Sequence, residues 1–263
     1  MEIKSDTPIR MWPGTLIMQC PPCSWGKCVF CGYSRDHLTE VRPSTEEFLK
    51  QLNCYLNEYG IGEHIEIYNS GSFLDDEQIS SGSRVAIFRH LAGAGIKGIT
   101  IESRPEYITK EKLGVLTREF KGELTVAIGL EVADDSILRM LKKGFALKDV
   151  ERAYSVLDGM DISSRVYILV GPPFVENPKR SALDSVRYAK RIGFTEICLM
   201  GAYPMKGSKC YQMWKSGDWL PLGKSDFSEI VASAQEIEPD IDYSSSGLER
   251  CWRKRDEEGI SMH

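Results

Sequence analysis

Short apolar runs alternate with amphipathic helical stretches along most of this chain, and no other feature limits its fold as tightly. Leu16-Ile17-Met18 predicts a first strand, and further strands are predicted over 64–69, 98–102, 124–130, 165–170 and 196–200. Between the first two, Ser44-Thr45-Glu46-Glu47 matches a helix capping box, and Phe48, Leu49, Leu52 and Tyr55 recur at helical spacing. A helix is therefore predicted from Thr45 to Glu58, stopped by Gly60 and Gly62. Helices are also predicted over 84–92, 110–119, 136–142, 148–157, 181–191, 208–215 and 227–236. Strands alternating with helices imply a parallel sheet with right-handed crossovers. The expected fold class is α/β, a partial (β/α)6 barrel with parallel strands, because a closed eight-unit barrel takes about 250 residues by itself. A doubly wound open sheet is the competing architecture. The barrel core is expected over 1–205, with 206–263 as a helical and irregular extension packing on it. The tail after Pro239 is polar and poorly periodic.

With 42% hydrophobic and 27% charged residues, the chain has the balance of an ordinary globular protein. It contains no apolar run of the 18 or more residues that a membrane-spanning helix needs, so no membrane partner is expected. Met1 to Arg10 is polar and unlike a signal peptide. The cytoplasm is the expected location, where thiols stay reduced. The net charge of −5 gives no general support for nucleic-acid binding. Arg250 and the stretch Cys251-Trp252-Arg253-Lys254-Arg255 are basic and aromatic, and are read as a solvated surface segment.

Eight cysteines then need a reason, and Cys20, Cys23, Cys28 and Cys31 fall within one short loop after the first strand. Such crowding in a reducing compartment points to metal rather than to disulfides. Sulfur-only sites select zinc, copper(I) or iron–sulfur clusters. Four thiolates suit tetrahedral zinc, whereas three can hold a 4Fe–4S cluster with one iron left open. Zinc sites more often draw their pairs from two separated knuckles, and ligand sites gather at the C-terminal ends of parallel strands, so the cluster is favoured. Cys20 remains an alternative to Cys23 as the first ligand. Cys54 and Cys198 lie in apolar-periodic segments and read as core, while Cys210 and Cys251 read as core or surface thiols.

The stretch Cys23-x4-Cys28-x-Phe30-Cys31 resembles a variant of the radical S-adenosylmethionine (SAM) signature, whose common form has three residues in the first gap. In that family the aromatic before the last cysteine packs on the SAM adenine, a place held here by Phe30. Gly129 to Asp149, with Gly-Leu-Glu followed by Lys-Lys-Gly-Phe, resembles radical-SAM proteins of the coproporphyrinogen-oxidase and elongator catalytic-subunit type. There a basic residue before the glycine binds the SAM carboxylate, and Lys143 occupies that place. The Ser-Gly-Ser-Phe-Leu-Asp, Glu-Ser-Arg-Pro-Glu-Tyr and Cys-Gly-Tyr stretches are similar to the radical-SAM subunit of archaeosine synthase.

The resemblance implies further SAM contacts at strand ends, in chain order. Asn69-Ser70-Gly71-Ser72 would meet the methionyl ammonium, its small residues letting backbone approach a ligand. Glu102 and Arg104 leave the third strand together; Glu102 would accept from the ammonium or ribose, and Glu131 from a ribose hydroxyl. Gly171, before Pro172 and Pro173, would lie beside the adenine. Tyr203 closes the sixth strand, and substrate is expected near Tyr203, Met205 and the C-terminal segment.

What the resemblance implies chemically is reductive cleavage of SAM to methionine and a 5′-deoxyadenosyl radical that abstracts hydrogen from substrate. The cofactors would be a 4Fe–4S cluster and SAM, and an external donor would supply the electron. The archaeosine synthase subunit is a lyase acting on a lysine-modified deazaguanine base in tRNA, alongside a separate transferase, so modified tRNA and that transferase are candidate partners. A small-molecule or peptide substrate, a structural zinc module and an electron-transfer iron–sulfur protein are the alternatives. None of His37, His64, His90 and His263 stands out as a base.

Overall fold

The computed structural model describes residues 6–33 and 41–258. The chain clusters into two compact units. The first takes the described residues within Met1–Gly26, Tyr33–Ile128 and Asp149–Ser164, the second those within Lys27–Gly32, Gly129–Lys148 and Arg165–His263.

In the first unit, β1 (Arg10–Trp12) and β2 (Thr15–Ile17) form an antiparallel hairpin turned at Pro13-Gly14, with Gly14 at φ 82°. Helix α1 (Thr45–Tyr59) follows, and its capping box forms as the sequence predicts: Glu47 N–H donates to Ser44 Oγ, and Ser44 N–H to the Glu47 carboxylate. Next come β3 (His64–Tyr68), α2 (Ser81–Ala94), β4 (Gly98–Glu102), α3 (Lys110–Glu119) and β5 (Glu123–Glu131), which continues into the second unit. Strands β2, β3, β4 and β5 pair parallel in that order. Ile65 and Ile67, and likewise Ile99 and Ile101, are wholly buried on one face of their strands, and β4 buries Gly98 and Thr100 on its other face as well. Phe73 and Phe88 meet at 5.9 Å between ring centroids, and Phe88 meets Phe120 at 6.0 Å.

The second unit contains α4 (Asp135–Met140), most of β6 (Ser163–Val170), α6 (Pro178–Ile192), β7 (Glu196–Gly201), α7 (Lys209–Ser216), α8 (Lys224–Gln235), β8 (Asp242–Ser244) and α9 (Ser246–Glu258). Helix α5 (Leu147–Asp158) lies mainly in the first. Strands β6, β7 and β8 pair parallel in sequence order. All six predicted strands are present. In the tail after Pro239, read as polar and poorly periodic, β8 pairs with β7, and α9 is anchored by the wholly buried Leu248. A three-residue, largely exposed edge strand offers no period to detect. His37 and His263 lie outside the described residues, as do the side chains of Arg253, Lys254 and Arg255. Among the described residues, no helix is long and apolar enough to cross a membrane.

A buried cation braces the loop after β3. Arg84 on α2 is 2% exposed and donates to the Ile79 carbonyl at 2.5 Å and to Asp76 at 2.6 Å. Lys112 on α3 binds Asp76 at 2.8 Å and the Leu74 carbonyl at 2.7 Å. Arg84→Met leaves the Ile79 carbonyl without its donor and is expected to cost about 2 kcal/mol. The check is a lower urea midpoint at unchanged slope. Burial alone would raise the Asp76 carboxyl, but Lys112 and Arg84 outweigh it and hold it below the ordinary value. A depressed carboxyl contributes stability above its unfolded value, which is lost as pH falls through the folded one. Asp76→Asn therefore makes stability less dependent on pH below about 4.

Candidate cofactor site

The loop after β2 begins under tight control. Gln19 N–H donates to Gln51 Oε1 at 2.7 Å, and Gln51 Nε2 returns a bond to the Gln19 carbonyl at 3.1 Å. Cys20 follows and is wholly buried. Burial pushes its thiol pKa up, and the hydrogen bond from Asn69 Nδ2, at 3.4 Å, only partly offsets that. Cys23, by contrast, is a half-buried thiol.

In the first unit the loop after β3 lies against the Cys23 backbone. A Cβ built on Gly71 would sit 3.0 Å from Cys23 Cα and 2.5 and 2.8 Å from the Gln78 amide atoms. Ser72 Oγ accepts from Arg104 N–H at 3.1 Å, and Phe73 N–H donates to the Glu102 carbonyl at 2.9 Å. The ends of β3 and β4 are thereby locked together. Arg104 is buried; it pairs with Glu106 at 2.6 Å, and its guanidinium lies 4.9 Å from the Trp25 ring centroid. Glu102 is half-buried. Asn69 Oδ1 is buried with no hydrogen-bond partner, an acceptor that suits an N–H donor.

The second unit brings Phe30, Glu131 and Lys143 together. Lys143 and Glu131 form a buried ion pair at 2.9 Å. The Lys143 ammonium lies 5.5 Å from the Phe30 ring centroid and 5.1 Å from that of Phe145. Glu131 at φ 69° and Lys142 at φ 56° both adopt the left-handed backbone that non-glycine residues avoid. A Cβ on Gly129 would lie 2.8 Å from Glu131 Oε1, so a side chain there would push the pair aside. Cys28 and Cys31 are half-buried thiols on one turn, closed by Cys31 N–H donating to the Cys28 carbonyl at 3.3 Å. That turn is pinned by Val29, which bonds Leu141 at 3.0 Å and Cys210 at 2.9 Å through its backbone. Gly32 N–H donates to Met205 Sδ at 3.2 Å.

Gly171 meets the loop between α7 and α8, and Tyr203 meets α9. The Gly171 carbonyl accepts from Trp219 Nε1 at 3.2 Å. The Tyr203 ring packs on Gly247, with the Arg250 guanidinium 5.5 Å from its centroid. Gln78 and Trp25 are contacts that pattern reading missed, since neither belongs to a periodic run. Of the other thiols, Cys198 and Cys210 are buried, and Cys54 and Cys251 are half-buried. Burial pushes the Cys210 thiol up to about 12.

No family model matches the chain. Archaeosine synthase subunit beta of Methanosarcina acetivorans is 28% identical over 241 residues, covering 86% of this chain and 68% of that protein. The queuine lyase of Clostridium spiroforme, solved with SAM and queuine bound, matches at TM-score 0.57 and 21% identity, over 90% of this chain and 94% of its own. Coproporphyrinogen III oxidase of Escherichia coli, described as a radical SAM enzyme, matches at TM-score 0.58 and 13% identity, over 89% of this chain and 53% of its own. The chain shares its fold with these two solved proteins. The α/β partial-barrel class expected from the sequence agrees with these solved neighbours.

The donor chemistry fits the cluster and cofactor that radical SAM proteins use. Cys23, Cys28 and Cys31 are half-buried thiols, and soft thiolates are the ligands an iron–sulfur cluster takes. Lys143 supplies an ammonium suited to a carboxylate, and Asn69 Oδ1 an acceptor suited to an amine. Lys143→Met removes the cation from a buried carboxylate and is expected to destabilise by about 3 kcal/mol. Replacing Glu131 and Lys143 together by Met costs less than the two single changes summed, and a double-mutant cycle on denaturation midpoints measures the difference.

Proposed function

We propose that the chain is a radical SAM enzyme that holds a 4Fe–4S cluster on Cys23, Cys28 and Cys31 and acts as a lyase in tRNA archaeosine modification. The observation that carries the reading is the division among four cysteines of one loop: Cys20 is sealed and its thiol pKa is raised, while the other three are half-buried thiols. Three protein thiolates leave one iron of a cubane without a protein ligand. With cluster and SAM bound, one electron from an external donor yields methionine and a 5′-deoxyadenosyl radical that takes hydrogen from substrate.

The chain's own residues bind and orient. Asn69 Oδ1 accepts from the methionyl ammonium beside the Gly71 and Ser72 backbone. Lys143 meets the SAM carboxylate, one of its three N–H donors being held by Glu131. As a compact point charge, it gives a looser grip than the two-pronged arginine often found there. Phe30 stacks on the adenine, and Glu131, Glu102 and Gly171 line the ribose and base. Arg104 holds the strand ends in place through Ser72. Tyr203 and Met205 face substrate, and residues 206–263 extend the core. The relative named archaeosine synthase subunit beta and the neighbour named queuine lyase support a modified-base substrate. Modified tRNA and a separate transferase are the proposed partners, in the cytoplasm.

Protein prepared without air is expected to be brown, with about four irons per chain. Cys23→Ala, Cys28→Ala and Cys31→Ala each remove most of that iron, and Cys20→Ala keeps it. With dithionite and SAM, the wild type releases 5′-deoxyadenosine. A colourless protein carrying one zinc, or iron lost only in Cys20→Ala, contradicts the reading.

A further inference from the structure

Gln78 is wholly buried and stands outside the residues assigned above to cluster or SAM. Its Oε1 accepts from Ser72 N–H at 2.5 Å and from Asn69 Nδ2 at 3.2 Å. Its Nε2 donates to the Pro21 carbonyl at 3.0 Å and lies 3.9 Å from Cys20 Sγ. Pro21 stands two residues before Cys23 in the chain. Ser72 and Asn69 flank the glycine whose missing Cβ would strike this same amide. One side chain thus ties the backbone ahead of the first cluster ligand to the loop proposed to receive the methionyl group.

An amide suits this position because it carries acceptor and donors on one uncharged end. A carboxylate keeps the acceptor for Ser72 and loses the donor for Pro21. A methionine fills similar space and keeps neither.

We infer that Gln78 is a positioning residue, setting the Cys23 backbone and the Gly71–Ser72 loop in register so that SAM binds to the loaded enzyme. It acts through those two backbones and rests on the radical SAM reading above. Removing it leaves every thiol in place, so iron content is preserved while the fit to SAM is lost. A buried, positioned hydrogen-bond set of this kind is expected to matter by about tenfold in SAM KM.

The test compares Gln78→Met and Gln78→Glu with Leu116→Ala, a buried α3 residue outside both loops that supplies a control for lost stability. Reconstituted Gln78→Met should hold iron as the wild type does, show a SAM KM raised about tenfold with kcat within about twofold, and show a weakened SAM-induced change in the EPR spectrum of the reduced cluster. Gln78→Glu should fall between it and the wild type, and it decides the matter should Gln78→Met fail to fold. Leu116→Ala should lower the unfolding temperature and leave KM and spectrum unchanged. Wild-type KM and EPR response in a folded, iron-loaded Gln78 variant would overturn the inference alone. A wild-type protein that takes up no cluster would overturn the parent reading with it.

Discussion

The loop after β3 can lie against the loop after β2 only because residue 71 has no Cβ. Any side chain there would strike the Gln78 amide and crowd the Cys23 backbone. The close approach lets a few polar groups set several loops at once. Gln78 reaches Pro21, Ser72 and Asn69, while Ser72 in turn accepts from the Arg104 backbone. Arg84 and Lys112 hold the far side of the loop through Asp76 and two carbonyls. These contacts stand beside the apolar packing of Phe73, Leu74 and Ile79. The contacts form a connected set of buried donors and acceptors, where a missing partner costs more than a formed bond contributes.

The second unit stores its cost differently. Glu131 and Lys142 stand in the left-handed region without being glycine, and the pair that Glu131 makes is buried. Such a conformation costs about 1–3 kcal/mol at each residue, and a buried pair is often no more stable than an apolar substitute. Under the proposed function, this strain and buried charge serve recognition of a charged ligand, a carboxylate beside Lys143.

The backbone periods made the fold legible. Strands with wholly buried isoleucines, and the capping box at Ser44, carry local signals that burial and hydrogen bonding then honour. The edge strands β1 and β8 carry none, being short and largely exposed. At the site, sequence order located Phe30, Glu131 and Lys143, which the structure brings together. It did not reveal Gln78 or Trp25, because their contacts come from loops meeting across distant sequence. Nor did it foresee that Arg104 would pair with Glu106 two residues on, leaving β4 to reach the next loop through backbone bonds. The sequence put Cys23 first and kept Cys20 as the alternative; the two differ in burial, Cys20 being sealed and Cys23 half-buried.

The account turns on an iron that the protein leaves open and SAM occupies. Mössbauer spectroscopy of the iron-57 reconstituted protein, with and without SAM, addresses that iron directly. The account predicts that SAM shifts one of the four iron sites of the cubane and leaves the other three unchanged. Four irons indifferent to SAM would contradict it.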